Sequence, residues 1–597
     1  MSRGGLRRTL LIVAVIGLGV LLHRPGLSAG LAADDYLQRA MIDGSYPVGR
    51  SPLDLYAFVD ASRGELPRLM DAGIFPWWVH PHLKLTALRP LSSLLVYFDV
   101  RALGSSDLAA HLHSLVWFAL LLAALALLFQ SLFSEPIALL ATAIYAFDPL
   151  HVMPVAWLAN RAALVSATFA LLGLWGHIRW RERGWRPGAL VSGAGAALAL
   201  LGGEYGISAL GYLAAYELSA GPGRRLDRLR ALALAAVPAA LYAGTYLALG
   251  YGAEGSSVYV DPFRSPGWFI LLSSVRLPAL LVNEFLSIPG ELTSSALILG
   301  YGRALMILLP PLVLLGALVP GMLRRLRWDE RRMLVFLMLG NGLSIVPLLG
   351  TIPSPRLLVV PAIGGAVLLA LLIRDGVARV GERAARFRVG TWWRALMALS
   401  LALAHLVVSP MTTLSFGTGW STGQILVRAL YQRGDIDDRE VAHQQLILLN
   451  SFNHVSAIYP PWARHHAGSP LPGSWRALTT SPASQELTRT STDTFELAAV
   501  GGTLLDLAAT DLLRSADAPF RSGDRVTLRG LSAEVLESSP WGPSRVRFRF
   551  DRALDDPSLV FLEMGADGVR RVSLPRIGGT LAIPGAPLPS VSPPPQP

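Results

Sequence analysis

Apolar runs of near-spanning length alternate with short basic stretches along most of this chain. After Arg3, Arg7 and Arg8 an apolar run covers residues 9–22, followed by Ser28-Ala29-Gly30-Leu31-Ala32-Ala33. Two readings fit: a cleaved signal, or an uncleaved first span reaching Leu31. A span needs ~20 residues, which favours the second. A long polar loop, 34–107, comes next. In it Trp77-Trp78-Val79-His80-Pro81-His82 has the aromatics of a headgroup-level anchor, and residues 89–98 read as an interfacial helix. Further apolar runs lie at 111–133, 137–150, 158–178, 188–203, 206–220, 231–251, 303–320, 333–350, 357–373 and 395–414.

The arginines test this layout. Those at 179–183, 224–230, 324–332 and 374–394 fall between apolar runs, as cytoplasmic loops do. Residues 268–288 are apolar enough to span but carry Arg276, Asn283 and Glu284. A charge at the bilayer centre costs about 2.5–3.5 kcal/mol on insertion scales, so this segment is expected to lie in the interface. That choice keeps every basic run on one side. It gives about eleven spans, a cytoplasmic N-terminus and an extracytoplasmic C-terminus.

From 415 the composition turns soluble. Residues 442–450, 525–537, 545–550, 559–564 and 569–574 read as strands, separated by turn signals such as Ser522-Gly523-Asp524. The expected fold is therefore a polytopic α-helical membrane protein with a C-terminal, extracytoplasmic β-rich domain. Its parts would be a transmembrane domain at 1–414, a mixed and β-rich domain at 415–583, and a disordered proline-rich tail at 584–597.

Composition agrees. Of 597 residues, 52% are hydrophobic and 16% charged, and mean hydropathy is +0.45. The net charge of +11 sits in the inter-span stretches, which argues for topology and against nucleic-acid binding. With no cysteine, disulfides and thiolate chemistry are excluded.

Several polar residues stand where chemistry at a membrane surface would need them. Asp34 and Asp35 follow the first apolar segment, and a carboxylate there suits a general base; the same pair also suits the start of the next helix. His151, Asn160 and Arg161 lie in a short loop between two runs, and Arg356 opens another run. Arginine offers a planar fork to phosphate oxygens; anchoring to lipid headgroups accounts for its position equally well. Glu204 sits at the end of a run between Gly203 and Tyr205. His80, His82 and Lys84 are too weak a pattern for a metal site, and none is expected.

Taken in order, Asp34-Asp35, Arg89-Pro90-Leu91-Ser92-Ser93-Leu94, Pro149-Leu150-His151 through Asn160-Arg161, Gly203-Glu204-Tyr205-Gly206 and Arg356-Leu357-Leu358-Val359-Val360-Pro361 resemble the GT-C superfamily of polyprenyl-phosphate-sugar-dependent glycosyltransferases. The likeness is to the protein O-mannosyltransferase branch that includes transmembrane-and-TPR proteins, and it covers residues 1–415. It implies an inverting transfer from a polyprenyl-phosphate sugar to a protein or glycan hydroxyl, without a cofactor; the low lysine content, absent cysteine and Pro/Gly-rich tail point, by composition, to a bacterial cell membrane. Asp34 or Asp35 would act as base, with a lean to Asp34. Arg356, Arg161, Arg89 and His151 would hold the donor phosphate, with Glu204 a further site residue. Three departures stand out: Asp148 where a histidine is common, Gly203 where a lysine is common, and a β-rich domain in place of TPR repeats. Two other readings remain at this point. A transporter or flippase would place ionisable residues near the midplane, and a silent scaffold would act through its outer domain.

Overall fold

The computed structural model describes residues 3–104, 106–288, 300–381, 389–505, 507, 511–566 and 568–586. Most of the expected tail, 587–597, lies outside them. Among the described residues eight helices are long and apolar enough to cross a membrane. A ninth arises if Glu135–Ala146 and Pro149–Ala156, bent by 51°, count as one. Against the eleven expected, Pro266–Leu286 is gained, and the run at 357–373, in helix Ala362–Gly381, is not among the eight. Pro187–Gly202 and Tyr205–Ser219 have 16 and 15 residues, and at ~1.5 Å per residue such helices fall short of a ~30 Å hydrocarbon core.

One end of the helix bundle is held by the basic runs. Arg181 pairs with Glu217 at 2.7 Å, Arg332 with Glu182 at 2.9 Å, Arg374 with Glu330 at 2.5 Å and Arg325 with Asp375 at 3.6 Å. Arg228 donates to the Glu217 carbonyl at 3.2 Å. All four arginine-rich stretches therefore meet at the same end, as their sequence pattern predicted.

The segment expected in the interface forms the helix Pro266–Leu286, which is also long and apolar enough to cross a membrane. Its Arg276, Asn283 and Glu284 are buried within the protein. Arg276 donates to the Leu349 carbonyl at 2.8 Å, and Glu284 accepts from Asn341. Ionisable groups facing a bundle interior with partners do not pay the cost of facing lipid. The last expected span also runs on. A continuous helical stretch covers Trp392–Gln432, passing through a π-turn at Ala404–Val408 and crossing the expected boundary at 414.

Beyond the bundle lie three sheets. β1 (Ala57–Asp60), β2 (Lys84–Thr86) and β3 (Gly252–Glu254) form a small antiparallel sheet from the first polar loop and a later connection. β4 (Gln445–Leu448) and β5 (Ser474–Ala477) pair in parallel, and a parallel pair requires a crossover. Helices His454–Ile458 and Pro460–His466 supply it. A six-stranded antiparallel sheet follows, built from β6 (Gln485–Arg489), β7 (Thr494–Ala499), β8 (Arg525–Leu528), β9 (Leu531–Ser539), β10 (Gly542–Phe550) and, after β11 (Leu559–Gly565) and β12 (Gly568–Arg571), β13 (Thr580–Ile583). β11 lies beside β4, with β12 at that sheet's edge. The expected strand over 525–537 is a hairpin turning at Gly530, where φ is +79°. Val546, Phe548 and Phe550 point into the core, while Arg547 between them pairs with Glu496 at 2.8 Å, the two-residue period of a half-buried strand.

Trp77 and Trp78, expected at headgroup level, are both buried instead. Trp77 donates to the Leu478 carbonyl at 3.0 Å and packs its ring 5.3 Å from Phe520 and 5.7 Å from Phe548. The first polar loop and the C-terminal part thus share one hydrophobic core. Truncating Trp77 to alanine should cost about 3–5 kcal/mol, the usual range for a buried large aromatic. Thermal unfolding in detergent should show a lowered transition together with faster proteolysis after Gln432. An unchanged transition would mean that the loop and the C-terminal part are not coupled.

Candidate functional site

The segment between the first span and helix Asp34–Asp43 is fastened from three directions. Gly30 adopts φ +64°, and the Arg428 guanidinium, which donates to the Ala29 carbonyl, fills the space a Cβ would need. The His111 ring lies 3.1 Å from the Gly30 carbonyl. Ala33 takes φ 44° and ψ −116°, a sparsely populated conformation that costs ~1–3 kcal/mol. Asp35 compensates. Its Oδ2 accepts from the Ala32 amide at 3.0 Å and its Oδ1 from the Ala159 amide at 2.7 Å. Both oxygens are committed to backbone, so Asp35 is a structural brace. Burial pushes its carboxyl up to about 7, against the pull of those two donors.

Asp34 has a different environment. It is half-buried, and its Oδ1 accepts from the Tyr459 hydroxyl at 2.8 Å. Burial raises its proton affinity, while the Tyr459 hydrogen bond and the charges of Arg356, Arg89 and His454 lower it; burial wins. Arg356 sits in the turn Pro355–Val359 with its guanidinium 5.0 Å from the centre of the Trp157 ring. Among the described residues no carboxylate pairs with it. Arg89 immediately precedes helix Pro90–Ala102, donates to Glu204 at 2.7 Å and lies 4.8 Å over Tyr56.

Tyr259, on the connection before Pro266, feels Arg356, Arg89, Asp34 and Glu204 together. That connection is held by Val260 donating to the Gly350 carbonyl at 2.7 Å and Ser257 donating to that of Asp511 at 2.9 Å. Asp34, Arg356, Arg89, Glu204 and Tyr259 therefore share one electrostatic neighbourhood.

Two residues expected to hold phosphate are buried among other side chains. Arg161 is 2% exposed and spends its donors on Asp99 at 2.5 Å, Ser114 at 2.9 Å and the Ala110 carbonyl at 3.2 Å. No fork remains for a ligand. His151 is fully buried, 4.5 Å from the Tyr145 ring and 5.0 Å from Phe118. His151 lies within the second member of the bent helix pair, and Arg161 follows that pair.

A second group of polar residues is buried within the bundle. Asp148 accepts from Ser287 at 2.9 Å, and the Ser287 hydroxyl lies 3.0 Å from His405 Nδ1 in the π-turn. With Glu284 and Asn341 they form a buried polar cluster tying Pro266–Leu286 to its neighbours. Among the described residues no three His, Asp or Glu side chains come together as a potential metal-ligand set. Tyr459, His454 and Tyr259 were not singled out in the sequence, since no local motif marks residues that meet only through the fold.

No family model matches the chain, and no curated protein matches it. Solved structures do resemble it. The oligosaccharyltransferase AglB from Archaeoglobus fulgidus, in complex with an inhibitory peptide and a dolichol-phosphate, matches at 13% identity and a TM-score of 0.41, over 75% of this chain and 63% of that one. This chain thus spans less than two thirds of the archaeal protein. ArnT from Cupriavidus metallidurans bound to undecaprenyl phosphate matches at 13% identity and a TM-score of 0.40, over 78% of this chain and 85% of that one. Similarity at this level assigns no activity.

The two adjacent acids should separate cleanly on mutation. Asp34→Asn should fold, because its single protein partner is a hydroxyl that can also bond to an amide oxygen. Asp35→Asn turns an amide N–H toward the backbone N–H of Ala32 or Ala159, and leaving such a donor unmatched costs about 1–3 kcal/mol. Thermal unfolding of both variants checks this: equal transitions would contradict the structural assignment of Asp35.

Proposed function

We propose that this protein is an integral-membrane glycosyltransferase that moves a sugar from a polyprenyl-phosphate donor to a protein or glycan hydroxyl outside the cytoplasm. The observation that carries this reading is the meeting of a half-buried acid, Asp34, with an arginine, Arg356, that no carboxylate neutralises among the described residues. The end of the bundle opposite the basic runs holds this pair, in keeping with an extracytoplasmic site.

The chemistry needs two groups. The acceptor hydroxyl must lose its proton as its oxygen attacks the anomeric carbon, and a carboxylate within hydrogen-bond reach can take it. Asp34 Oδ2 is the oxygen not held by Tyr459. Negative charge develops on the departing lipid phosphate, and Arg356, braced on Trp157, is placed to stabilise it. Arg89 adds positive potential at the same place, although Glu204 partly neutralises it. Attack opposite the leaving phosphate would invert the anomeric centre. The donor itself is the substrate, and these steps call on no cofactor.

A purified preparation should release sugar from polyprenyl-phosphate sugars when acceptors are supplied. Asp34→Asn should lower kcat by ~100-fold or more while donor still binds, the usual loss for a missing general base. Arg356→Ala should weaken donor binding and lower kcat together, whereas Arg161→Ala should act through stability. Full turnover in Asp34→Asn would remove this acid from the mechanism. Donor lipid binding without turnover under any acceptor would favour a flippase or scaffold.

A further inference from the structure

The acid proposed as base is not completed by the membrane bundle alone. Its one side-chain hydrogen bond comes from Tyr459, 425 residues away in sequence. Tyr459 joins the two short helices of the β4–β5 crossover, and three features place it. Asn453 caps His454–Ile458 by accepting from the Ser456 amide at 2.9 Å, Pro460 and Pro461 open the next helix, and Trp475 of β5 donates to the Ala457 carbonyl at 2.7 Å. The second helix is clamped to the helix that carries Asp34. The His466 ring lies 6.1 Å from the Tyr36 ring and 3.5 Å from Asp107, which also pairs with Arg39 at 3.3 Å. Arg464 donates to the Gln432 carbonyl at 3.0 Å and to Asp438 at 2.7 Å, tying the crossover to the end of the long helix.

From this geometry we infer that Tyr459 is a positioning residue of the C-terminal domain: its hydroxyl holds Asp34 Oδ1 and leaves Oδ2 for the acceptor. This inference rests on the transferase reading above. A hydroxyl donor stabilises the charged form of the carboxylate it binds, opposing the effect of burial. The other groups facing Asp34 are Arg356 from its turn, Arg89 at the start of its helix, His454 from the crossover, Asp35 beside it in the chain and Tyr259 from the connection before Pro266. None of them is a hydrogen-bond donor to Asp34 among the described residues; Tyr459 alone is. The outer domain would then be part of the active site, with the catalytic acid silent unless the crossover is docked.

The test is the pH dependence of turnover in Tyr459→Phe. Loss of the donated hydrogen bond raises the proton affinity of Asp34, so the acidic limb of kcat should move to higher pH by about 1–2 units. Activity should return toward the wild-type level at alkaline pH, and donor KM should change little. A merely structural role would lower kcat at all pH values without moving the limb, and that result would overturn the inference. Should Tyr459→Phe fold poorly, or no turnover be found, infrared titration of the Asp34 carboxyl provides a second measurement. Asp34→Asn identifies the band, and His454→Gln, which removes a charge without removing the hydrogen bond, should move its midpoint less than Tyr459→Phe. Equal midpoints in wild type and Tyr459→Phe would overturn the inference. Absence of turnover in wild type counts against the transferase reading instead, so the two failures are distinguishable.

Discussion

The candidate site depends on one carboxylate that does no chemistry in our reading. Asp35 binds the amide of Ala32 on one side and that of Ala159 on the other, stitching the exit of the first span to the start of helix Ala162–Arg183. It thereby holds Ala33 in a conformation the chain would not otherwise keep. Because Asp34 lies between the strained residue and the brace, its backbone position is fixed before its side chain makes any contact. Only the final hydrogen bond to Tyr459 is added from outside. The two adjacent acids thus differ: Asp35 has both oxygens bonded to backbone amides, and Asp34 has one oxygen bonded to Tyr459.

A second constraint is the shared core. Trp77, Trp475, Phe520 and Phe548 come from the first polar loop and from well-separated parts of the C-terminal half, yet they bury one another. A chain without cysteine has only packing and hydrogen bonds to hold an outer domain in register with a membrane bundle. The long helix ending at Gln432 gives that domain a stiff stalk, and Arg464 caps its final carbonyls. The crossover therefore reaches the membrane end of the bundle in a fixed orientation. This makes a catalytic contact across 425 residues physically reasonable.

What could be read in the sequence was what depends on neighbours along the chain. The apolar runs, the grouping of arginines at one end and the strands at 545–550 and 559–564 follow from composition and period, and they appear in the fold. Asp34 and Arg356 were also recognisable, because each borders an apolar run. The failures share a cause. Arg161 has the same local pattern as Arg356, but Asp99 and Ser114 lie on other helices and consume its donors. Glu284 and Arg276 could be read only as exposed charges, because their partners Asn341 and Leu349 lie far along the chain. Trp77 and Trp78 had the signature of a membrane belt, which a buried inter-domain core shares. Tyr459 had no signature at all.

The balance at Asp34 is the last step. A base taken wholly into an apolar site would hold its proton and lose its function; one left in open water would hydrogen-bond with solvent and lose its aim. Here burial pushes the carboxyl toward the protonated form, and a tyrosine hydroxyl and nearby cations push it back. Those opposing forces come from different parts of the chain: burial from the segment around Ala33 and the crossover packed on it, the arginines from the bundle, and the hydroxyl, with His454, from the crossover. Withdrawing any one shifts the acid in a known direction. Undocking the crossover removes donor and shielding together. The hydroxyl's loss favours protonation and renewed hydration favours ionisation, while the carboxylate loses the contact that orients it. On that argument the docked crossover governs the aim of the base, and its hydroxyl governs the charge only while the site remains closed.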